Sequence, residues 1–244
     1  MADDSLEAPA WKTKAEDVNE LFFEYLGQLD SMNPTAREVI KNFPVYVGYV
    51  SLARFLFLYD LYKRVFELSG HIGEVGTYRG STLMFFGKLI RLFEPHSYTQ
   101  AHGFDWFRGM EPGAEDDLGE TGKWMGDYET LVKLVALQGL DDCVVVHRMD
   151  VRTELPEFFV EHDYMRFKLV FLDCGIRDVL VKSLECFWPR LVPGGILVVD
   201  HYNHAASPSE SKVIEEAIGS HRIHQMPFTR QPTGYIVKDA PDRE

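Results

Sequence analysis

Cysteine and positive charge are both scarce in this chain. Only Cys143, Cys174 and Cys186 occur in 244 residues, and none belongs to a CxxC pair. Three thiols cannot build a paired disulfide framework, and a zinc knuckle would need the missing spacing. Reduced thiols in a cytoplasmic protein are the expectation. Lys and Arg total 25 against 38 Asp and Glu, a formal net charge of -13. That balance repels phosphate backbones and anionic lipid, so nucleic acid and membrane surfaces are not expected partners. A long uncharged apolar run is also missing. The greasiest stretch, Phe43 to Leu68, contains Arg54, Asp60, Lys63 and Arg64, too many charges for a membrane span. The opening MADDSLEAPA is acidic and lacks a basic-then-apolar signal pattern. There is no internal repeat, no low-complexity segment, no GxGxxG fingerprint and no GK[ST] phosphate loop.

What remains is an ordinary globular composition with 45% apolar residues. The length suits one large α/β domain or two small ones. Residues 1–12 read as a tail. Val18, Leu21, Phe22, Tyr25, Leu26 and Leu29 lie at helical spacing within Lys14–Leu29. A short helix after Pro34 should stop before Pro44. Val45–Leu68 reads as one long helix, apolar on most faces, that packs across the sheet or against a second subunit. A helical extension, 1–69, for cap or dimer contacts therefore precedes a Rossmann-like α/β domain, 70–240.

From Gly70 onward short apolar runs alternate with helical stretches. The expected strands are His71–Val75, Tyr98–Phe104, Cys143–His147, Lys168–Leu172, Gly195–Val199, Ile223–Met226 and Gly234–Val237. The expected helices are Ser81–Leu92, Asp127–Gln138, Thr153–Glu161, Asp178–Pro189 and Ser209–Gly219. Such alternation predicts a doubly wound α/β fold with a mostly parallel, seven-stranded sheet. The last two strands are too close in sequence for a helical crossover and should form an antiparallel hairpin. Met110–Gly122, with Glu111, Glu115, Asp116, Asp117 and Glu120, reads as a solvated acidic loop or a lid.

Ligands of such sheets bind beyond the carboxyl ends of the strands, so the residues following each strand carry the chemistry. After the first strand come Gly76, Thr77, Tyr78, Arg79, Gly80, Ser81 and Thr82. The glycines allow a tight turn and close approach of a ligand, and a side chain at Gly76 would take up ligand space. The spacing disfavours a dinucleotide, and with it a nicotinamide-dependent oxidoreductase. After the second strand, Asp105 is placed to accept hydrogen bonds from both hydroxyls of a ribose, with Trp106 beside it. After the third, Asp150 either accepts from an adenine amino group or caps the helix that follows. Asp173 ends the fourth strand and Asp200 the fifth, followed by His201, Tyr202, Asn203 and His204. Two carboxylates and an imidazole on adjacent strand tips form a candidate divalent-metal set, Asp173, Asp200 and His201. The alternative is that they only hydrogen-bond ligand or loop backbone.

The stretch Gly70–Gly80, the segment Gly103-Phe104-Asp105-Trp106-Phe107-Arg108-Gly109, the strand end Phe171-Leu172-Asp173 and the run Leu191–Asp200 occur in this order. Together they resemble the macrocin O-methyltransferase family of sugar- and macrolide-tailoring enzymes. The resemblance implies a class I fold and S-adenosyl-L-methionine as cofactor, with Glu74, Gly76, Asp105 and Asp150 lining its pocket. Tyr78, Gly80, Ser81, Trp106 and Asp173 belong to the same candidate set. Two departures stand out. The family reads Asp-x-Asp at the fourth strand, with the second Asp as base and the first as magnesium ligand; here the second position is Gly175. The family has a second Asp after the fifth-strand acid; here it is His201.

The expected chemistry is methyl transfer from a sulfonium to the hydroxyl of a small-molecule acceptor, a sugar or natural-product intermediate. It needs alignment of the attacking atom and removal of its proton. His201, His204 and Asp173 are the candidate proton acceptors; alternatively Mg2+ or Mn2+ on the two acids lowers the acceptor's pKa. The rival reading is a fold relative that binds the cofactor but performs other tailoring, such as hydroxylation, or no chemistry. A homodimer through the long apolar helix is the expected assembly.

Overall fold

The computed structural model describes residues 10–113, 116, 121–203, 208–219, 221–229 and 231–239, with the backbone alone for 10–20, 208 and 209. The first nine residues, Glu115, Asp117, Glu120 and His204 lie outside the described residues.

The N-terminal segment is helical: α1 (Ala10–Met32), α2 (Ala36–Lys41), α3 (Phe43–Tyr46) and α4 (Tyr49–Arg64). Helix α1 extends beyond the expected Lys14–Leu29 at both ends and takes in part of the expected tail. Helix α2 begins at a capping box, in which the Thr35 hydroxyl accepts from the Glu38 N–H and Glu38 accepts from the Thr35 N–H. The expected continuous helix from Val45 to Leu68 is broken. Pro44 lies in the first turn of α3, and extended Val47 and Gly48 separate α3 from α4, which stops at Arg64.

The sheet comprises β1 (His71–Val75), β2 (Ala101–Asp105), β3 (Val144–Arg148), β4 (Phe167–Leu172), β5 (Leu191–Val199) and β6 (Gly234–Val237). Between them run α5 (Ser81–Phe93), α6 (Tyr128–Leu137), α7 (Leu155–Glu161), α8 (Arg177–Phe187) and α9 (Pro208–Ile218). The order is β3-β2-β1-β4-β5-β6; β6 runs antiparallel to β5 and every other neighbouring pair is parallel. Among the described residues the sheet has six strands, one fewer than expected. Within Ile223–Met226 only His224 bridges, to Tyr235. That segment lies at the sheet edge and runs directly into Pro227, which has no N–H to donate to a ladder.

Both faces of the sheet are covered, which is why its strands are apolar without strict alternation. One core joins Phe57, Leu58, Leu61 and Tyr62 of α4 to α5, α6 and Ile72, Leu169, Phe171 and Val198 of the sheet. The other joins α7, α8 and α9 to Val75, Phe104, Val170, Leu172 and Val199. Helix α4 is thus part of the sheet's own packing. The order reverses between β1 and β4, and the tips of these strands open into the cleft used by open α/β sheets. No helix among the described residues is long and apolar enough to cross a membrane.

Candidate active site

A cavity of about 660 Å³ lies at the carboxyl ends of the strands. Gly76, Tyr78, Asp105, Trp106, Asp150, Asp173, Asp200 and His201 all line it, so most of the predicted set converges there. Glu74, Gly80 and Ser81 are not among the lining residues. Glu74 is buried under the loop, Gly80 is the left-handed residue that starts α5, and Ser81 is exposed on that helix.

The loop after β1 is tighter than its glycines alone suggest. Gly76 has φ of 90°, and a Cβ there would come within 1.9 Å of the Asp173 carbonyl oxygen. The reason for glycine is therefore close packing of the β1 and β4 tips, rather than ligand space alone. Tyr78, at φ 52°, donates its N–H to Asp105 Oδ2 at 2.8 Å. The Phe107 N–H donates to Asp105 Oδ1 at 2.7 Å. Burial raises the Asp105 carboxyl while these backbone donors lower it, and burial is the larger effect. Each carboxylate oxygen can accept more than one hydrogen bond, as a ribose diol requires.

The wall beyond Asp105 is a stack. The Trp106 indole donates to the Gly109 carbonyl at 2.6 Å, and the Arg152 guanidinium lies 4.8 Å over its ring. Arg152 also pairs with Asp150 and with Glu111 of the acidic loop, each at 2.9 Å. These bonds from Arg152 hold the Asp150 carboxyl below its ordinary range. The Asp150 carbonyl, not its carboxylate, accepts the Thr153 and Glu154 N–H groups ahead of α7. Glu111 and Asp116 tie the described part of the acidic loop down, the latter by accepting from the Arg177 N–H at 2.9 Å.

Asp173 and Asp200 do stand side by side, and the group between them is Arg54 of α4. Its Nη2 donates to Asp173 Oδ2 at 2.8 Å and its Nη1 to Asp200 Oδ1 at 2.9 Å. The guanidinium sits 5.1 Å from the Phe171 ring centroid. Burial and the charge of Asp200 push the Asp173 carboxyl upward, against Arg54. Asp200 is almost wholly buried, whereas the Asp173 side chain remains 28% exposed. His201 faces Asp200 Oδ2 through Nδ1 at 3.4 Å, and its Nε2 lies 2.7 Å from the Gln231 amide nitrogen. With that amide donating, the Nε2 lone pair is used and the ring proton sits on Nδ1. Glu210 of α9 supports the turn by accepting from the His201 N–H at 3.1 Å.

Sequence reasoning missed Arg54, Glu210 and Gln231. Arg54 enters the sequence only as a charge inside an apolar helix, and that misplacement was its one available signal. The metal set deserves the same scrutiny. Donor atoms of Asp173, Asp200 and His201 lie within 4.8 Å of one another. Yet one oxygen of each carboxylate already accepts from Arg54, so the residues present do not fit a resident divalent ion. Gly175, where the resembling family carries its base, stands at φ 61° and offers no side chain.

The sheet order, the switch-point cleft and an acid at the β2 tip together define the class I, S-adenosylmethionine-dependent methyltransferase fold. Residues 74–202 match the family described as a methyltransferase domain, and the chain belongs to it. CalS11, a calicheamicin methyltransferase, superposes with a TM-score of 0.79 at 22% identity, over 90% of this chain and 91% of that one. The apo form of CalS11, described as a TDP-rhamnose 3'-O-methyltransferase, gives 0.72 at 21% identity over 90% and 93%. The O-methyltransferase NovP gives 0.65 at 15% identity over 77% and 80%. No curated protein matches the chain in sequence.

Proposed function

We propose that the chain binds S-adenosyl-L-methionine and transfers its methyl group to a hydroxyl of a sugar or a glycosylated natural product. Asp105 carries this reading: a half-buried carboxylate at the β2 tip, held by backbone donors that include Tyr78 and Phe107 and facing the cavity. Asp105 would accept from the ribose hydroxyls, Trp106 and Asp150 would hold the adenine, and the Gly76 loop would hold the methionine end. Phe23 of α1, Tyr78, Met110 and Trp124 also belong to the wall. Rings at a cavity mouth suit the flat faces of a sugar or macrocycle. The TDP-rhamnose and calicheamicin chemistry of CalS11 supports the same substrate class.

Methyl transfer is an in-line displacement, so the cavity must hold the acceptor oxygen against the methyl carbon and receive its proton. Asp173 is the group that receives it. Its carboxylate combines partial exposure to the cavity with an anchor on Arg54, while His201 has its Nε2 on Gln231 and its Nδ1 3.4 Å from Asp200. The missing side chain at Gly175 leaves room for the acceptor beside Asp173.

Calorimetry with S-adenosylmethionine tests the reading. The wild-type chain should bind it and ignore NAD. Asp105→Ala should weaken binding by roughly 1.5–3 kcal/mol, the scale of a charge-assisted hydrogen bond. Unchanged affinity in a folded variant removes Asp105 from the site. Mass spectrometry of reactions with TDP-rhamnose and related nucleotide sugars should then show a gain of one methyl group; cofactor binding without methylation of any hydroxyl acceptor would favour other tailoring chemistry.

A further inference from the structure

Two carboxylates at adjacent strand tips need a positive partner, and in this molecule the partner is part of the chain. We infer that the Arg54 guanidinium is the resident cation of the site, taking the place between Asp173 and Asp200 that a divalent ion would otherwise fill. The inference rests on the methyltransferase reading above and concerns what organises its proton acceptor.

Three observations carry it. First, the guanidinium bridges: one terminal nitrogen bonds each carboxylate, at 2.8 and 2.9 Å, so both acids are held by one rigid plane. Second, it is built in. Arg54 projects from α4 one turn ahead of Phe57 and Leu58 and two turns ahead of Leu61 and Tyr62, which lock that helix into the core under the sheet. Phe171 lies against its flat face, and its Nη2 is also 3.4 Å from the Thr82 hydroxyl. Third, one oxygen of each carboxylate is already used. An ion held by Asp173, Asp200 and His201 would have to displace the guanidinium, because two cations in one half-buried space repel. Arg54 thus acts as a positioning residue: it fixes the rotamer of Asp173, leaving the other oxygen for the acceptor hydroxyl.

Manganese provides the test, because its binding is read directly by electron paramagnetic resonance. Wild-type protein should take up no Mn2+ below millimolar concentration, and its melting temperature should not respond to Mn2+ or to excess chelator. Arg54→Gln frees both carboxylates; it should bind Mn2+ at least tenfold more tightly than wild type and be stabilised by it. Arg54→Lys should restore the indifference to Mn2+. S-adenosylmethionine affinity should stay within about threefold in both variants. Stoichiometric, micromolar Mn2+ binding by the wild type that is lost in Asp200→Asn would overturn the inference, and that measurement needs no Arg54 variant to fold. Loss of cofactor affinity in Arg54→Gln, without any gain of Mn2+ binding, would overturn it too, placing the guanidinium on the cofactor instead. Failure of the wild type to bind the cofactor at all would count against the proposed function and leave the Mn2+ result standing.

Discussion

Glu74 places a carboxyl inside the sheet at 2% exposure, with its Oε2 lacking a hydrogen-bond partner. Burial, and secondarily the charge of Asp173, raise it well above its ordinary 4.5. The unfolded chain ionises this group from about that pH, while the folded chain keeps it protonated. Stability contributed at this position therefore falls as pH rises above 4.5. Glu74→Gln removes the penalty, so its melting temperature relative to wild type should rise as pH climbs above 4.5. A difference that stays constant over that range would defeat the assignment of a neutral Glu74. Single residues also mark the limit of what the sequence discloses. Asp105 was legible because its role depends on one strand and the turn after it. Arg54 was not, since its partners stand 119 and 146 residues further along the chain. The base expected at His204 lies outside the described residues, and the pairing of His201 with Gln231 depends on a contact across 30 positions.

At the scale of elements, strands β1, β2 and β3 carry a ladder of three histidines, His71, His102 and His147. His102 Nδ1 lies 3.0 Å from His147 Nε2, and His71 meets the His102 ring edge-on at 4.9 Å. With His162 they border a second cavity of about 640 Å³. Burial first, and then the neighbouring imidazoles, lower His102 to about 2 and His147 to about 4. Both are neutral in the fold but protonate near pH 6.5 once unfolded. Their contribution to stability is complete above pH 6.5 and shrinks as pH falls, by at most ~1.4 kcal/mol per pH unit for each proton. His147→Gln keeps a hydrogen-bonding partner for His102 and should flatten the decline in melting temperature between pH 6.5 and pH 4. A decline as steep as that of wild type would place the acid sensitivity elsewhere. The five parallel strands were legible because continuous apolar runs between glycines and acids have few alternatives. The expected seventh strand was not distinguishable from an edge segment making one bridge, and the turn at Val47–Gly48 was masked by apolar residues on both sides.

For the molecule as a whole, the helices before the sheet present Ile40, Phe43, Val45, Tyr49 and Leu56 to solvent. An apolar surface of this kind supports the expected dimer through the N-terminal helices. Light scattering should give about twice the 28.1 kDa chain mass at micromolar concentration; a monomer at that concentration would count against the dimer. Charge shows a similar contrast between whole and part. The chain has an excess of 13 negative charges, yet between two acids at adjacent strand tips it places a cation of its own. A guanidinium carried on α4 is stoichiometric with the polypeptide. It cannot be diluted away, taken by a competing protein or exchanged for the wrong ion, and its supply does not vary with the metal content of the surroundings. It also arrives with direction, since its two N–H edges point along fixed lines where a spherical ion has none. The same bond that orders the site is therefore inherited with the gene, and only mutation can change its occupancy.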